Sequence, residues 1–171
     1  MVSVVDNVSK GNEALYWIDD FLHVSRRNDS YTKTEKAIEL CKTFINEKLP
    51  EEFAVNRAEQ ADMLSQSAKF FKENDSFDID EFANEVICQP NLIDSFKSYR
   101  SDFAYERDFE LPDNFDISND AVKRKARMLK SVIKLDKNFH IYIHGNRELI
   151  ERGTDPVTGM QYYKLLFKSE D

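Results

Sequence analysis

Glycine is scarce in this chain of 171 residues, which holds four, none of them between Asn12 and His144. Loops that bring backbone close to phosphate need glycine. Neither G-x-G-x-x-G nor G-x-x-x-x-G-K-[ST] can be written here, so dinucleotide- and triphosphate-cradling loops are excluded. Cysteine is scarce as well. Cys41 sits in an apolar helical pattern and Cys88 just before Pro90, with no C-x-x-C spacing, and both read as reduced core thiols. No apolar run approaches the ~20 residues of a membrane helix, and residues 1–6 are too short and too acidic for a signal peptide, so a reducing cytoplasm is the expected compartment. Internal repeats and low-complexity stretches are also missing.

What is present is 41% hydrophobic and 33% charged, with a net charge of -8. That balance excludes a wholly disordered chain and suits one compact soluble domain or two small ones. The pattern predicts a flexible lead-in over 1–12 and a single α+β domain over 13–171, helical over 32–128 and β-rich over 129–167. Two apolar runs at 14–18 and 21–24 fit strands or one helix equally well. Thr32 and Glu35 have capping-box spacing ahead of Ala37, Ile38, Cys41, Phe44, Ile45 and Leu49, a helix that should end at Pro50. A second helix is expected over 56–73, with Ala58, Ala61, Met63, Leu64, Ala68 and Phe71 on its apolar stripe. Asp78 and Glu81 then cap a third, which sends Phe82, Val86 and Ile87 inward. A fourth follows Pro90 with Leu92, Phe96, Tyr99, Arg100 and Phe103 along one side, and a short fifth over 119–128 has Ser118 as its N-cap. The period then changes to two. Ser131, Ile133 and Leu135 alternate with Lys130, Val132 and Lys134, and Phe139, Ile141 and Ile143 with His140, Tyr142 and His144. A hairpin turning at 136–138 is predicted, followed by a short helix over 147–152 stopped by Gly153, and a third strand over 160–167 in the same small antiparallel sheet.

Site chemistry is sparse. The acidic string from Asp75 lacks the central glycine and late bidentate glutamate of a calcium loop. His140 and His144, on the outward face of the hairpin, stand roughly 13 Å apart at ~3.3 Å per residue and cannot share an ion. His23, among apolar residues, reads as a satisfied, partly buried histidine. No G-x-S-x-G string, H-E-x-x-H string or separated carboxylate pair supports catalysis, and no cofactor is expected. A hydrolase built from His140, Tyr142, His144 and Lys164 across the sheet face is the weakest of the readings.

Charge is unevenly spread. Lys123, Arg124, Lys125, Arg127, Lys130, Lys134 and Lys137 face the single Asp136 within 123–137, a segment of +6, so the rest of the chain carries -14. Attraction to a polyanion is decided within about a Debye length, ~8 Å at physiological salt, so this strip counts for more than the total. Three to five of these cations on phosphates would give a slope of log K against log salt of roughly -3 to -4.5. The competing reading is a solvated face neutralised by the protein's own acids.

The string Leu135-Asp136-Lys137-Asn138-Phe139-His140-Ile141-Tyr142-Ile143-His144-Gly145, with 147–153, 162–167 and the earlier stretches 14–22 and 34–49, resembles bacterial nucleoid-associated proteins of the NdpA/YejK type. Members of that family are substantially longer, and the chain is similar to their C-terminal half. The resemblance implies a cytoplasmic protein found with the nucleoid that binds DNA and engages type II topoisomerases, with no catalytic residues to carry over. It favours the seven cations as DNA contacts. The alternative is a protein-interaction module, docking to a topoisomerase or to a second copy through its acidic helices, with Tyr99, Phe103 and Tyr105 as the apolar contact.

Overall fold

A computed structural model describes residues 28–107, 109–143 and 149–169. The expected lead-in, the runs containing Trp17 and His23, and His144 lie outside them. The architecture is α+β: helices build a phenylalanine-rich core, and three antiparallel strand pairs decorate it.

Helix α1 (Ser30–Thr43) starts earlier than its capping-box spacing suggests. Asp29 is the cap, and its carboxylate accepts the Thr32 N–H at 3.0 Å, so Thr32 lies inside the first turn. The helical path also runs through Pro50 instead of ending there. A widened π turn (Phe44–Lys48), in which the Leu49 N–H reaches the Phe44 carbonyl, places Pro50 in the first turn of α2 (Leu49–Glu52), where a missing N–H is tolerated. At that wide spacing the Ile45 carbonyl would look to residue 50, which has no N–H to give. The buried Gln60 side-chain amide donates to it instead, at 2.9 Å.

Gln60 belongs to α3 (Arg57–Glu73), which opens with a reciprocal capping box between Asn56 and Glu59. This helix serves two cores. Met63, Leu64, Phe70 and Phe71 face the large one, and Ala58 and Ala61 face a smaller one under the hairpins. The segment from Asp75, expected to be a mere interruption, contains strand β1 (Ser76–Asp78). It pairs with β2 (Asn114–Asp116), so that Phe77 lies opposite Phe115. Between the two strands run α4 (Ile79–Phe82), a second π turn (Ala83–Ile87) and α5 (Pro90–Glu106). The Arg100 guanidinium on α5 holds the Leu111 carbonyl and the Asp113 carboxylate, which fixes the approach to β2.

Asp78 caps α4 as the sequence predicts, with its carboxylate accepting the Asp80 and Glu81 amides. These bonds, the Glu81 amide foremost, hold its carboxyl below the usual aspartate range. A carboxyl depressed on folding contributes stability above its unfolded pKa and loses it as pH falls through the folded one. Asp78→Asn is therefore expected to flatten the acid limb of the stability curve below about pH 4. Superimposable wild-type and variant acid titrations would refute this.

Cys41 is buried, which pushes its thiol up and keeps it inert. Cys88 departs from expectation. It is exposed, not in the core, because the π turn ends on it in a left-handed conformation (φ 64°) that turns the chain outward toward Pro90.

Helix α6 (Asn119–Lys125) starts after Ser118, whose N–H is accepted by the buried Thr34 hydroxyl at 2.9 Å, and tightens to a 3-10 turn over Ala126–Leu129. Strands β3 (Val132–Leu135) and β4 (Phe139–Tyr142) form the expected hairpin, with Ile133 opposite Ile141. Phe139, opposite Leu135 in the register, is exposed. The predicted helix over 147–152 is not formed where the structure describes it. Ile150–Thr154 is strand β5 and pairs with β6 (Gln161–Leu165), so the last strand belongs to a sheet of its own and not to the β3–β4 sheet. Gly153 is no helix stop: the Tyr162 ring lies where its side chain would be, 2.3 Å from a Cβ position.

Candidate nucleic-acid interface

The seven cations fall into two groups. The first is on α6, packed against α1. Lys125 reaches Glu35 at 3.4 Å, with both side chains half-buried. The Arg124 guanidinium donates to the Tyr31 hydroxyl at 3.2 Å, and this bond, with Glu35 nearby, holds its pKa above the ordinary arginine value. Lys123 is 80% exposed and only loosely paired with Asp120, at 4.0 Å on the same helix. An exposed pair of that length neutralises little.

The second group follows the helix. Arg127, Lys130, Lys134 and Lys137 are all exposed, and none forms an ion pair among the described residues. Arg127 lies in the 3-10 turn and Lys130 caps it, while Lys134 and Lys137 are positioned by the hairpin. Ile133 and Ile143 pack on Ala58 and Ala61 of α3, with Ile141 and Leu135 beside them, and the Ser131 hydroxyl donates to the Ala61 carbonyl at 2.6 Å. Burying that side turns Val132 and Lys134 of the first strand, and His140 and Tyr142 of the second, to the other, while Lys130, expected on the same strand, lies just ahead of it as the cap of the 3-10 turn. The register sets Lys134 opposite His140 and Val132 opposite Tyr142. The outward face therefore carries one cation, Lys134, and two rings, with Tyr142 61% exposed.

Lys125 is thus drawn away from the others toward Glu35, a pairing across ninety residues that spacing along the chain cannot show. The hydrolase reading places His140, Tyr142, His144 and Lys164 on one sheet face, and the described residues among them do not share one. Lys164 lies on β6, in a different sheet from His140 and Tyr142, and is tied to Glu151 at 3.0 Å. Among the described residues no group of three His, Cys, Asp or Glu is placed to hold a metal ion. The trio Tyr99, Phe103 and Tyr105 offers no common surface. Phe103 is buried under the Arg107 guanidinium at 3.8 Å, Tyr99 packs on Phe44, and only Tyr105 stands free, at 90% exposure.

A family model described as nucleoid-associated protein YejK matches residues 1–159. The chain belongs to that family. No curated protein and no solved structure matches it. Membership places this YejK-family chain with the bacterial nucleoid, in the cytoplasm. The matched residues include the whole cationic segment and the β3–β4 hairpin, while β6 begins beyond them. Among the described residues, no helix is long and apolar enough to cross a membrane.

Proposed function

We propose that this YejK-family chain is a non-enzymatic DNA-binding module that grips the phosphate backbone without reading base edges. The observation that carries the reading is the set of four exposed cations, Arg127, Lys130, Lys134 and Lys137, without acidic partners among the described residues, on a chain otherwise rich in acid. Lys123 adds a fifth contact. Lys125 shapes the junction with α1 more than it meets the ligand, since its charge is paired with Glu35, while the exposed Arg124 is oriented by the neutral Tyr31 hydroxyl. Phosphate contacts position a protein on DNA and carry no sequence information, so affinity should be modest and similar for unrelated duplexes.

Replacing Arg127, Lys130, Lys134 and Lys137 together by alanine is expected to weaken binding to unrelated duplexes equally. If each contacts one phosphate, the dependence of log K on log salt should become shallower by about 3.6, at ~0.9 per phosphate. Duplex affinity that is unchanged at low salt, measured by fluorescence anisotropy, would remove the reading.

A second reading, association with another copy or with a type II topoisomerase, is favoured by a separate feature. Val157, Met160, Tyr162, Leu165, Leu166 and Phe167 leave apolar surface exposed around the β5–β6 pair, whose strand edges are open among the described residues. Self-association of this kind predicts a concentration-dependent sedimentation coefficient that Leu166→Ser with Phe167→Ser abolishes. A wild-type chain that stays monomeric at high concentration leaves no support for the second-copy form of this reading.

A further inference from the structure

We propose that the outward face of the β3–β4 hairpin is a stacking platform for the bases of unpaired DNA, so that the module prefers single strands to duplex. The proposal rests on the DNA-binding reading and deepens it. Phosphate contact alone explains the lysine of this face and leaves its rings without a role.

An exposed tyrosine on a strand whose other face is buried gains nothing from the core. Tyr142 is 61% exposed, and His140, two residues earlier on the same strand, is exposed beside it. Both rings stand on one face, roughly 6.6 Å apart at ~3.3 Å per strand residue. Stacked duplex bases, spaced ~3.4 Å along each strand, turn their π faces toward one another and cannot cover two rings so separated. An extended single strand can present successive bases to both. On the neighbouring strand Lys134 lies directly across from His140, and Lys130 lies two residues ahead of that strand's start. The lysines can track the backbone while the rings take the bases, a division of labour that tolerates any sequence because every base has a π face. The acid nearest in sequence, Asp136, sits in the turn at the tip of the hairpin, where the chain has left the outward rows.

The test compares the full chain with Tyr142→Leu and His140→Ala, singly and together, on three probes of equal length: an oligothymidine, a mixed-sequence duplex and an abasic single strand that keeps the phosphates. The wild type should bind oligothymidine more tightly than the abasic strand. Tyr142→Leu should weaken oligothymidine binding by roughly five- to hundred-fold, in line with ~1–3 kcal/mol per stacked base, and leave duplex binding within about two-fold. Tyr142→Phe, which keeps the ring, should restore the preference even if the leucine variant loosens the hairpin. Equal wild-type affinity for oligothymidine and the abasic strand would overturn the proposal, as would an equal loss on all three probes or failure of phenylalanine to rescue. If those results came with duplex binding that still depends on the four cations, the phosphate-contact reading would stand alone. Binding to none of the probes would sink both. Dissociation of a dimer by Tyr142→Leu would make the face an interface between copies and likewise end the proposal.

Discussion

Phe77→Ala should lower the free energy of unfolding by about 3–5 kcal/mol, the usual cost of emptying a phenylalanine site in a packed core. Phe77 is fully buried, and its ring meets four others. It stacks nearly parallel on Phe71 at 5.6 Å, lies 5.0 Å from Phe115 across the β1–β2 pair, and contacts Phe70 and Phe82. These neighbours come from α3, β2 and α4, so the space left cannot be closed by moving one element. Against a total stability of ~5–15 kcal/mol, that loss removes a large part of the margin. Urea denaturation followed by circular dichroism measures it, and a midpoint that barely moves would mean that the aromatic cluster is less tightly interlocked than its geometry implies.

Ile133→Ala is expected to have a comparable local effect, about 2–5 kcal/mol, with a different outcome. Ile133 is 2% exposed in the small core, where, among the described residues, only Ala58, Ala61 and Ile143 are buried with it. The large core does not include it. Loss of the isoleucine should release the hairpin from α3 while the helices remain folded, because the Ser131 bond to the Ala61 carbonyl is too little to hold it alone. Hydrogen exchange should show β3 and β4 unprotected and α1 and α3 protected. DNA binding should fall with them, since Lys134 and Lys137 are presented by that hairpin. Uniform destabilisation of helices and hairpin would instead show that the two cores unfold together.

The two variants separate what was legible in the sequence from what was not. Helices α3 and α5 and the hairpin follow from periodicity because each buries residues at the regular spacing of its element, and the stripe of Leu92, Phe96 and Phe103 or the alternation around Ile133 records it. Strands β1 and β2 left no such record. Three residues each, with Ser, Asp and Asn flanking a lone phenylalanine, they oppose β propensity and exist through tertiary pairing. The run through Pro50 was hidden because a π turn changes the spacing within one helix. Gly153 imitates a helix terminator, and what explains it is the Tyr162 ring on the opposite strand. At the site, alternation placed Lys134 outward but also counted Lys130 into a strand that begins only at Val132, while the engagement of Arg124 with Tyr31 and of Lys125 with Glu35 joins residues some ninety positions apart. The exposed ring of Tyr142 was visible only as an outward position in an alternating strand, with nothing in the pattern to say that it remained uncovered.

The β1–β2 pair joins residues 76–78 to 114–116, with α4, the second π turn and α5 threaded between them. Closing so long a span for three residues of ladder is entropically unfavourable until the intervening helices have condensed. The pair should consequently be a late event in folding. The Arg100 grip on Leu111 and Asp113 would shorten the remaining search by holding one end of the span beside α5 before the ladder zips shut.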